Sequence, residues 1–217
     1  MLPAGFIPQD DPGLAEFAAL LRRWNGKINL VGRQDIDRLW PRHIEDSLFL
    51  YKCLPQPKAS PWVLDVGSGG GLPGMVLALT DRAVDRAGDT IEHRPRKFVL
   101  LDRSERKVRF LTQVVAQVKL SNAIPLQGDF TSELAAASSD LSDVAALPEQ
   151  FAVICARAVA PPVQLWDNLQ HLLADNGELL VACGPQTKQQ LPSGVRVEWF
   201  ENQASEGRGV VRLGGHE

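Results

Sequence analysis

Trp62-Val63-Leu64-Asp65-Val66-Gly67-Ser68-Gly69-Gly70-Gly71-Leu72-Pro73-Gly74 decides the fold of this 217-residue chain. A short apolar run, a glycine-rich turn and a proline suited to a first helical turn read as a buried strand, a tight turn and a helix start near Pro73. Glycines let the backbone take positive φ and let a ligand approach the main chain. The N–H groups and dipole at the following helix start favour a negatively charged or polar ligand. This order places a nucleotide-type cofactor site at the end of the first strand of an open α/β sheet.

Gly69, Gly71 and Gly74 also satisfy G-x-G-x-x-G, the dinucleotide fingerprint. Dinucleotide folds usually carry an apolar residue at the position of Asp65 and turn the helix dipole on a pyrophosphate. A sulfonium cofactor has no phosphate, and an acid beside the turn suits its ammonium and positive sulfur. The Asp-x-Gly-x-Gly-x-Gly run at Asp65, Gly67, Gly69 and Gly71 therefore looks like the first motif of S-adenosylmethionine-dependent methyltransferases. The bland alternative is a tight turn whose glycines serve packing alone. Five glycines among residues 67–74, against a background of roughly 7%, favour the ligand reading.

The composition, 44% hydrophobic and 23% charged, is that of a globular protein. The length suits one large domain with a small appendage. No apolar run approaches the ~20 residues of a membrane span, and the first residues lack signal-peptide character, so a cytoplasmic location is expected. Cys53, Cys155, Cys183 and the four histidines are scattered, so neither a disulfide framework nor a metal site is expected. A net charge of −3 argues against general polyanion binding, though not against a local basic patch.

Leu14, Phe17, Ala18, Leu21 and Trp24 form an apolar stripe that predicts a helix over residues 12–30. Asp35 to Tyr51 reads as a second helical region, broken by Pro41. Together they make an N-terminal helical extension, residues 1–60, ahead of an α/β domain, residues 61–217. There the strand Val63–Val66, the helix Pro73–Leu79 and a charged loop at 81–96 precede the strand Phe98–Asp102. Ser104 is the expected N-cap of the next helix. Strands over 122–127, Phe151–Cys155 and Gly177–Cys183 follow, with a loop at 136–149 and a helix over Val163–Leu173. A closing hairpin spans Val195–Phe200 and Gly209–Leu213. The alternation predicts a mostly parallel sheet with helices on both faces.

Asp102 ends the second strand, where nucleotide folds place an acid that accepts from ribose hydroxyls. Gly128-Asp129-Phe130-Thr131 and Ala156-Arg157-Ala158 follow the third and fourth strands at the same edge. Phe130 and Thr131 are candidates for covering adenine and reading its edge. Arg157 is costly to bury unless it faces a ligand or partner, and a cofactor carboxylate or a phosphate would suit it. Arg42-His43-Ile44 with Asp46-Ser47, and Trp24-Asn25 with Asn29-Leu30, read as helix caps and solvated faces when taken alone. Arg22, Arg23, Lys27, Arg33, Arg38 and Arg42 bias the N-terminal third positive, and Arg103, Arg106, Lys107 and Arg109 follow the ribose acid. The two basic groups flank the cofactor loop, which suggests an RNA contact surface.

These separated motifs occur in the order found in one family. From about residue 14 to about residue 212 the chain resembles the methyltransferase G family of small-subunit ribosomal RNA, also called glucose-inhibited division protein B. The resemblance implies a Rossmann-like class I methyltransferase fold, S-adenosylmethionine as cofactor and N7 of a guanine in 16S ribosomal RNA or the small ribosomal subunit as target. It places Asp65, Gly67, Ser68, Gly69, Gly71 and Leu72 along the cofactor, Asp102 at its ribose and Phe130 and Thr131 at its adenine. Arg157 matches the family's arginine after the fourth strand, and Arg42, His43 and Arg157 are candidates for positioning the substrate. Neither a metal nor a membrane enters this reading, and a monomer suffices. Ser68, Gly70 and Cys183 stand where the family usually has threonine, proline and lysine, and the loops at 81–96 and 136–149 exceed the typical length. Rival readings are a methyltransferase of small molecules or proteins, a nicotinamide dehydrogenase, and a non-catalytic RNA-binding subunit.

Overall fold

The computed structural model describes residues 2, 6–56, 61–87, 95–129, 147–184, 191–205 and 207–214. Seven strands form one sheet: β1 (Trp62–Val66), β2 (Lys97–Asp102), β3 (Ala123–Gln127), β4 (Phe151–Arg157), β5 (Leu173–Cys183), β6 (Arg196–Glu201) and β7 (Gly209–Gly214). Their spatial order is β3-β2-β1-β4-β5-β7-β6, with β7 antiparallel to both neighbours and the first five strands parallel. The sheet is covered on both faces, which is why its strands are nearly continuous apolar runs. Alternate residues divide between two clusters. Val63, Phe98, Leu100 and Cys155 pack on one side, and Leu64, Val66, Val99 and Ile154 on the other.

The first face receives α1 (Pro12–Ile28), α2 (Glu45–Cys53), α3 (Gly74–Ala87) and α4 (Glu105–Gln117), through residues such as Phe17, Leu48, Met75 and Leu111. The second receives α5 (Pro162–Leu169), through Leu165 and Leu169. Asp11 caps α1 by accepting from the Leu14 amide at 2.8 Å, and Asn29 ends it in a left-handed conformation. Pro41 breaks the next segment as expected, into a 3₁₀ turn (Ile36–Arg38), a π-helical stretch (Trp40–Ile44) and α2. Helices α1 and α2 lie in the same apolar cluster as the sheet.

Three expectations need correction. Pro73 stands just before α3 rather than in its first turn. Residues 81–87, expected as loop, continue α3, while 88–94 lie outside the described residues. The cause is a buried ion pair: Asp81 accepts from Arg96 Nη1 at 2.7 Å and from the Arg96 amide at 2.8 Å, and Tyr51 donates to it at 3.2 Å. Charges that look solvated in the sequence are thus inside, matched by a partner 15 residues away. Ser104 holds the N-cap position of α4 as expected, but its side chain makes no capping hydrogen bond. Strand β5 begins at Leu173, where the preceding helix was expected to end, and its pairing with β4 shifts register between Phe151 and Val153.

Phe17 is fully buried on α1, against the glycine turn that follows β1. Truncating a buried aromatic side chain costs about 3–5 kcal/mol. Phe17→Ala is expected to lower stability on that scale in urea unfolding. Because α1 shares the sheet's core, circular dichroism and tryptophan fluorescence should still report a single coincident transition.

Candidate active site

Strand β1 lies between β2 and β4, where the order of connection reverses, and the crevice at the carboxyl ends of such strands is where open α/β sheets bind ligands. The glycine turn enters this crevice under firm local control. Asp65 is fully buried; its Oδ2 accepts from Ser68 Oγ and from the Gly74 amide at 2.9 Å, which closes the turn and caps the start of α3. Burial pushes the Asp65 carboxyl up to about 6, against the opposing pull of those two donors and of Arg157. Its Oδ1 is buried with no hydrogen-bond partner among the described residues. Asp65 is therefore a fastening inside the turn, set beneath the surface where the sequence reading placed an acid for a cation.

The turn's glycines divide by role. A Cβ on Gly70 would meet Leu30 Cβ at 3.0 Å and Leu21 Cδ2 at 3.1 Å, so close approach of the N-terminal segment leaves little room for a side chain there. Gly69 has φ +58°, and the nearest atom to an added Cβ lies 3.7 Å away. This is the clear face of the cradle. Asp102, 6% exposed at the end of β2, stands beside it: Oδ2 accepts from the Gly69 amide at 2.8 Å and Oδ1 from the Ser104 amide at 2.9 Å. Lys107 Nζ comes within 3.8 Å of the same carboxylate, and Arg109 pairs with Glu105 at 2.6 Å. Both cations had been grouped with a basic surface, and both have acidic partners. The cradle, its open glycine and the adjoining acid fit a cofactor with a ribose. Leu72 is buried in the turn; Phe130 and Thr131 lie outside the described residues.

A second group of side chains meets at the ends of β4 and β5. Arg157 closes β4, and its Nη2 lies 2.5 Å from Nδ1 of His43, which the π-helical stretch supplies. A guanidinium can only donate, so Nδ1 accepts and the imidazole proton sits on Nε2. Burial first, and Arg157 second, lower the His43 pKa to about 4, leaving a neutral ring at neutral pH. Nε2 is buried with no hydrogen-bond partner among the described residues, where its nearest acid is Asp35 Oδ2 at 3.8 Å. Arg42 Nε holds the other Asp35 oxygen at 2.7 Å.

These residues border a cavity of about 640 Å³ that also takes in Phe49, Val159, Asn202 and Arg208. Asp46 secures its rim, accepting from Arg208 Nη1 at 2.7 Å, Ser205 Oγ at 3.2 Å and Asn202 Nδ2 at 3.3 Å. Val159 fills the place where a side chain on Gly67 would stand, so cradle and cavity adjoin.

The structure thus gathers Asp65, Gly67, Ser68, Gly69, Gly71, Leu72 and Asp102 into one group and Arg42, His43 and Arg157 into another. Sequence reasoning missed Asp35, Asn202 and Arg208 as cavity residues, and Asp46 as the tie to the hairpin. Only the Asp46-Ser47 pair within its motif hinted at them. Asn25, expected on a cap or a solvated face, is a buried cap: its Oδ1 accepts from the Leu30 and Val31 amides at 2.8 Å. Among the described residues no cluster of His, Cys, Asp and Glu is placed to hold a metal, and no helix is long and apolar enough to cross a membrane.

Sheet order, glycine cradle and the acid at the end of β2 are those of an S-adenosylmethionine-dependent methyltransferase with a Rossmann-like fold. Solved structures agree on the fold: a methyltransferase from Geobacter sulfurreducens matches with TM-score 0.54 at 18% identity, covering 99% of this chain and 93% of that one. Aeropyrum pernix fibrillarin, solved with natively bound S-adenosyl-L-methionine, matches with TM-score 0.52 at 15% identity over 80% of this chain and 75% of its own. The family model of rRNA small subunit methyltransferase G matches residues 11–206, and the chain belongs to that family. The ribosomal RNA small subunit methyltransferase G of Gluconobacter oxydans is 35% identical over 82% of this chain and 77% of its own length. Its counterpart in Cereibacter sphaeroides is 36% identical over 79% and 71%.

Asp102→Ala frees the Gly69 amide and removes a charged acceptor, a loss of about 1.5–3 kcal/mol for bonds of this kind. Calorimetry should show S-adenosylhomocysteine affinity weakened on that scale. Normal affinity with only a lowered melting temperature would make Asp102 a purely local brace.

The two shifted groups act oppositely on stability. Asp65 binds its proton more tightly folded, at about 6 against 3.8, so its contribution is present below 3.8 and lost as pH rises through 6. His43 binds it less tightly, at about 4 against 6.5, so its contribution is present above 6.5 and lost as pH falls through 4. Urea titrations between about pH 4 and 6 should therefore show Asp65→Asn losing stability more steeply on acidification than wild type, and His43→Gln less steeply.

Proposed function

We propose that this enzyme methylates N7 of a guanine in 16S ribosomal RNA, with S-adenosylmethionine in the cradle and the target base in the adjoining cavity. The supporting observation is that adjacency, in a chain of the methyltransferase G family. Bound S-adenosylmethionine supplies an electrophilic methyl group on a sulfonium. N7 carries a free lone pair in the neutral base, so no residue has to take a proton from it first. What remains for the protein is to align the reactants and exclude water. The neutral state of His43 suits that work, since an imidazolium there would repel the positive charge that N7 methylation leaves on the guanine ring.

On this reading Asp65 and Ser68 shape the turn, Gly67, Gly69, Gly71 and Leu72 border the cofactor, and Asp102 takes its ribose. Phe130 and Thr131 would cover and read its adenine, while Arg157 holds its carboxylate and carries His43. Arg42 and His43 position the substrate. The N-terminal extension, residues 1–60, supplies the substrate wall of the methyltransferase domain, residues 61–217. Arg22, Arg23, Lys27, Arg33 and Arg38 lie on that extension, and their charge favours approach of RNA phosphates. The substrate must be unstacked to enter the cavity, as for other enzymes acting on a base. The enzyme would act as a cytoplasmic monomer on the RNA or the small ribosomal subunit.

The test is methyl transfer from labelled S-adenosylmethionine to small ribosomal subunits and to free 16S RNA, mapped by strand cleavage at 7-methylguanine. Wild type should label one guanine. Gly69→Val, which places a branched side chain on the clear face of the cradle, should bind no S-adenosylhomocysteine and transfer no methyl while remaining folded. Labelling of a small molecule or protein, with none in ribosomal RNA, would overturn the reading.

A further inference from the structure

His43 is held more tightly than a wall residue needs. Arg157 occupies Nδ1, and the hydroxyl of Ser47 donates to the His43 carbonyl at 2.7 Å. The ring is thereby fixed in one tautomer with its N–H on the side away from Arg157. That N–H has no acceptor among the described residues: Asp35 is 3.8 Å off, beyond hydrogen-bond range, and Arg42 engages its other oxygen at 2.7 Å. A buried donor left unmatched costs about 1–3 kcal/mol, so its persistence in an otherwise well-paired cluster points to an acceptor brought by a ligand.

The chemistry of the target supplies that acceptor. A purine that turns N7 toward the methyl donor presents position 6 on the same edge. Guanine carries an acceptor oxygen there and adenine a donor amino group. The cations beside His43 on these walls are paired with acids: Arg42 with Asp35, and Arg208 with Asp46. Phe49 offers an apolar surface for the base plane.

Building on the proposed N7 methylation, we infer that His43 is the specificity-determining residue for position 6 of the target purine. Its Nε2–H donates to guanine O6 and meets a 6-amino group donor to donor. Arg157 is then a positioning residue toward the base, since it sets the tautomer from which His43 reads. No proton changes hands in this contact, and the lone pair of N7 stays free to form the new N–C bond as the C–S bond breaks.

The test crosses protein with substrate. Small subunits are reconstituted with 16S RNA carrying either guanine or 2,6-diaminopurine at the mapped target, and kcat/KM is measured for wild type, His43→Ala and His43→Gln. Wild type should prefer guanine by on the order of 100-fold, the scale for a site built around a hydrogen bond. His43→Ala should lose most of its rate on guanine and little on 2,6-diaminopurine, so the preference collapses toward unity. His43→Gln keeps an N–H at similar reach and should restore part of the preference. S-adenosylhomocysteine affinity should stay within about twofold of wild type in both variants, the ordinary tolerance for a site left unaltered. An equal guanine preference in wild type and His43→Ala would overturn the inference, as would loss of cofactor binding in both variants. Failure of wild type to methylate guanine at all would instead overturn the parent reading, and this one with it.

Discussion

The site depends on one buried carboxylate. Asp65 has no contact with solvent, yet it gathers a hydroxyl and a backbone amide from opposite ends of the glycine turn. Removing a carboxylate from water is expensive, and the rise in its pKa to about 6 records the incomplete compensation. What the strain yields is geometry. The turn is tied to the end of β1, and the start of α3 is tied there with it through the Gly74 amide. Asp102 repeats the device from the neighbouring strand, holding the Gly69 amide, while the Leu101 carbonyl accepts from Ser68 at 2.9 Å. Two adjacent parallel strands thus fasten one loop from both sides.

The N-terminal helices complete this arrangement. Leu21 and Leu30 press on Gly70, and Asn25 holds the chain that carries Leu30 by accepting from two successive amides. Further on, the π-helical stretch brings His43 to Arg157, and Asp46 reaches the turn between β6 and β7. The cavity therefore has walls from three distant parts of the chain: the extension, the ends of β4 and β5, and the closing hairpin. A π-helical stretch widens the spacing of successive side chains relative to an α-helix, and such irregularities recur at functional sites. Here it lets His43 face Arg157 while Ile44 stays fully buried in the core.

What was legible in the sequence follows from the range of the interactions. The strand–glycine–helix unit is local, so Asp65 to Gly74 announced both the sheet and the cofactor cradle. Asp102 and Arg157 were legible because each ends a buried strand, where a charge needs a reason. The continuation of α3 through residues 81–87 was hidden, because the partner that makes Asp81 tolerable inside the protein is Arg96, beyond the helix. The cavity rim was hidden more deeply still: Asp46 and Arg208 are 162 residues apart, and no periodicity links them. The part Asp65 plays inside the turn was hidden for a related reason. A carboxylate beside a glycine turn fits a cationic ligand and a structural clasp equally well until its burial is known.

The charge state of the cavity connects these features to the chemistry. Methylation at N7 leaves the guanine ring positively charged, so a wall of uncompensated cations would oppose the transition state. With the base in the cavity as proposed, Arg42 and Arg208 would meet that charge already paired with Asp35 and Asp46, and His43 carries none. Arg157 is the remaining cation of the group; its guanidinium is occupied on one side by imidazole, and a cofactor carboxylate would balance its charge. Burial keeps His43 neutral with the help of Arg157, and the same arginine keeps it oriented, because donation to Nδ1 both disfavours a second ring proton and leaves Nε2–H turned away from it. A site that must accept a developing positive charge and still recognise a purine edge is served by a fixed neutral donor better than by an ionised one, and this structure places one between its cofactor strand and its N-terminal helices.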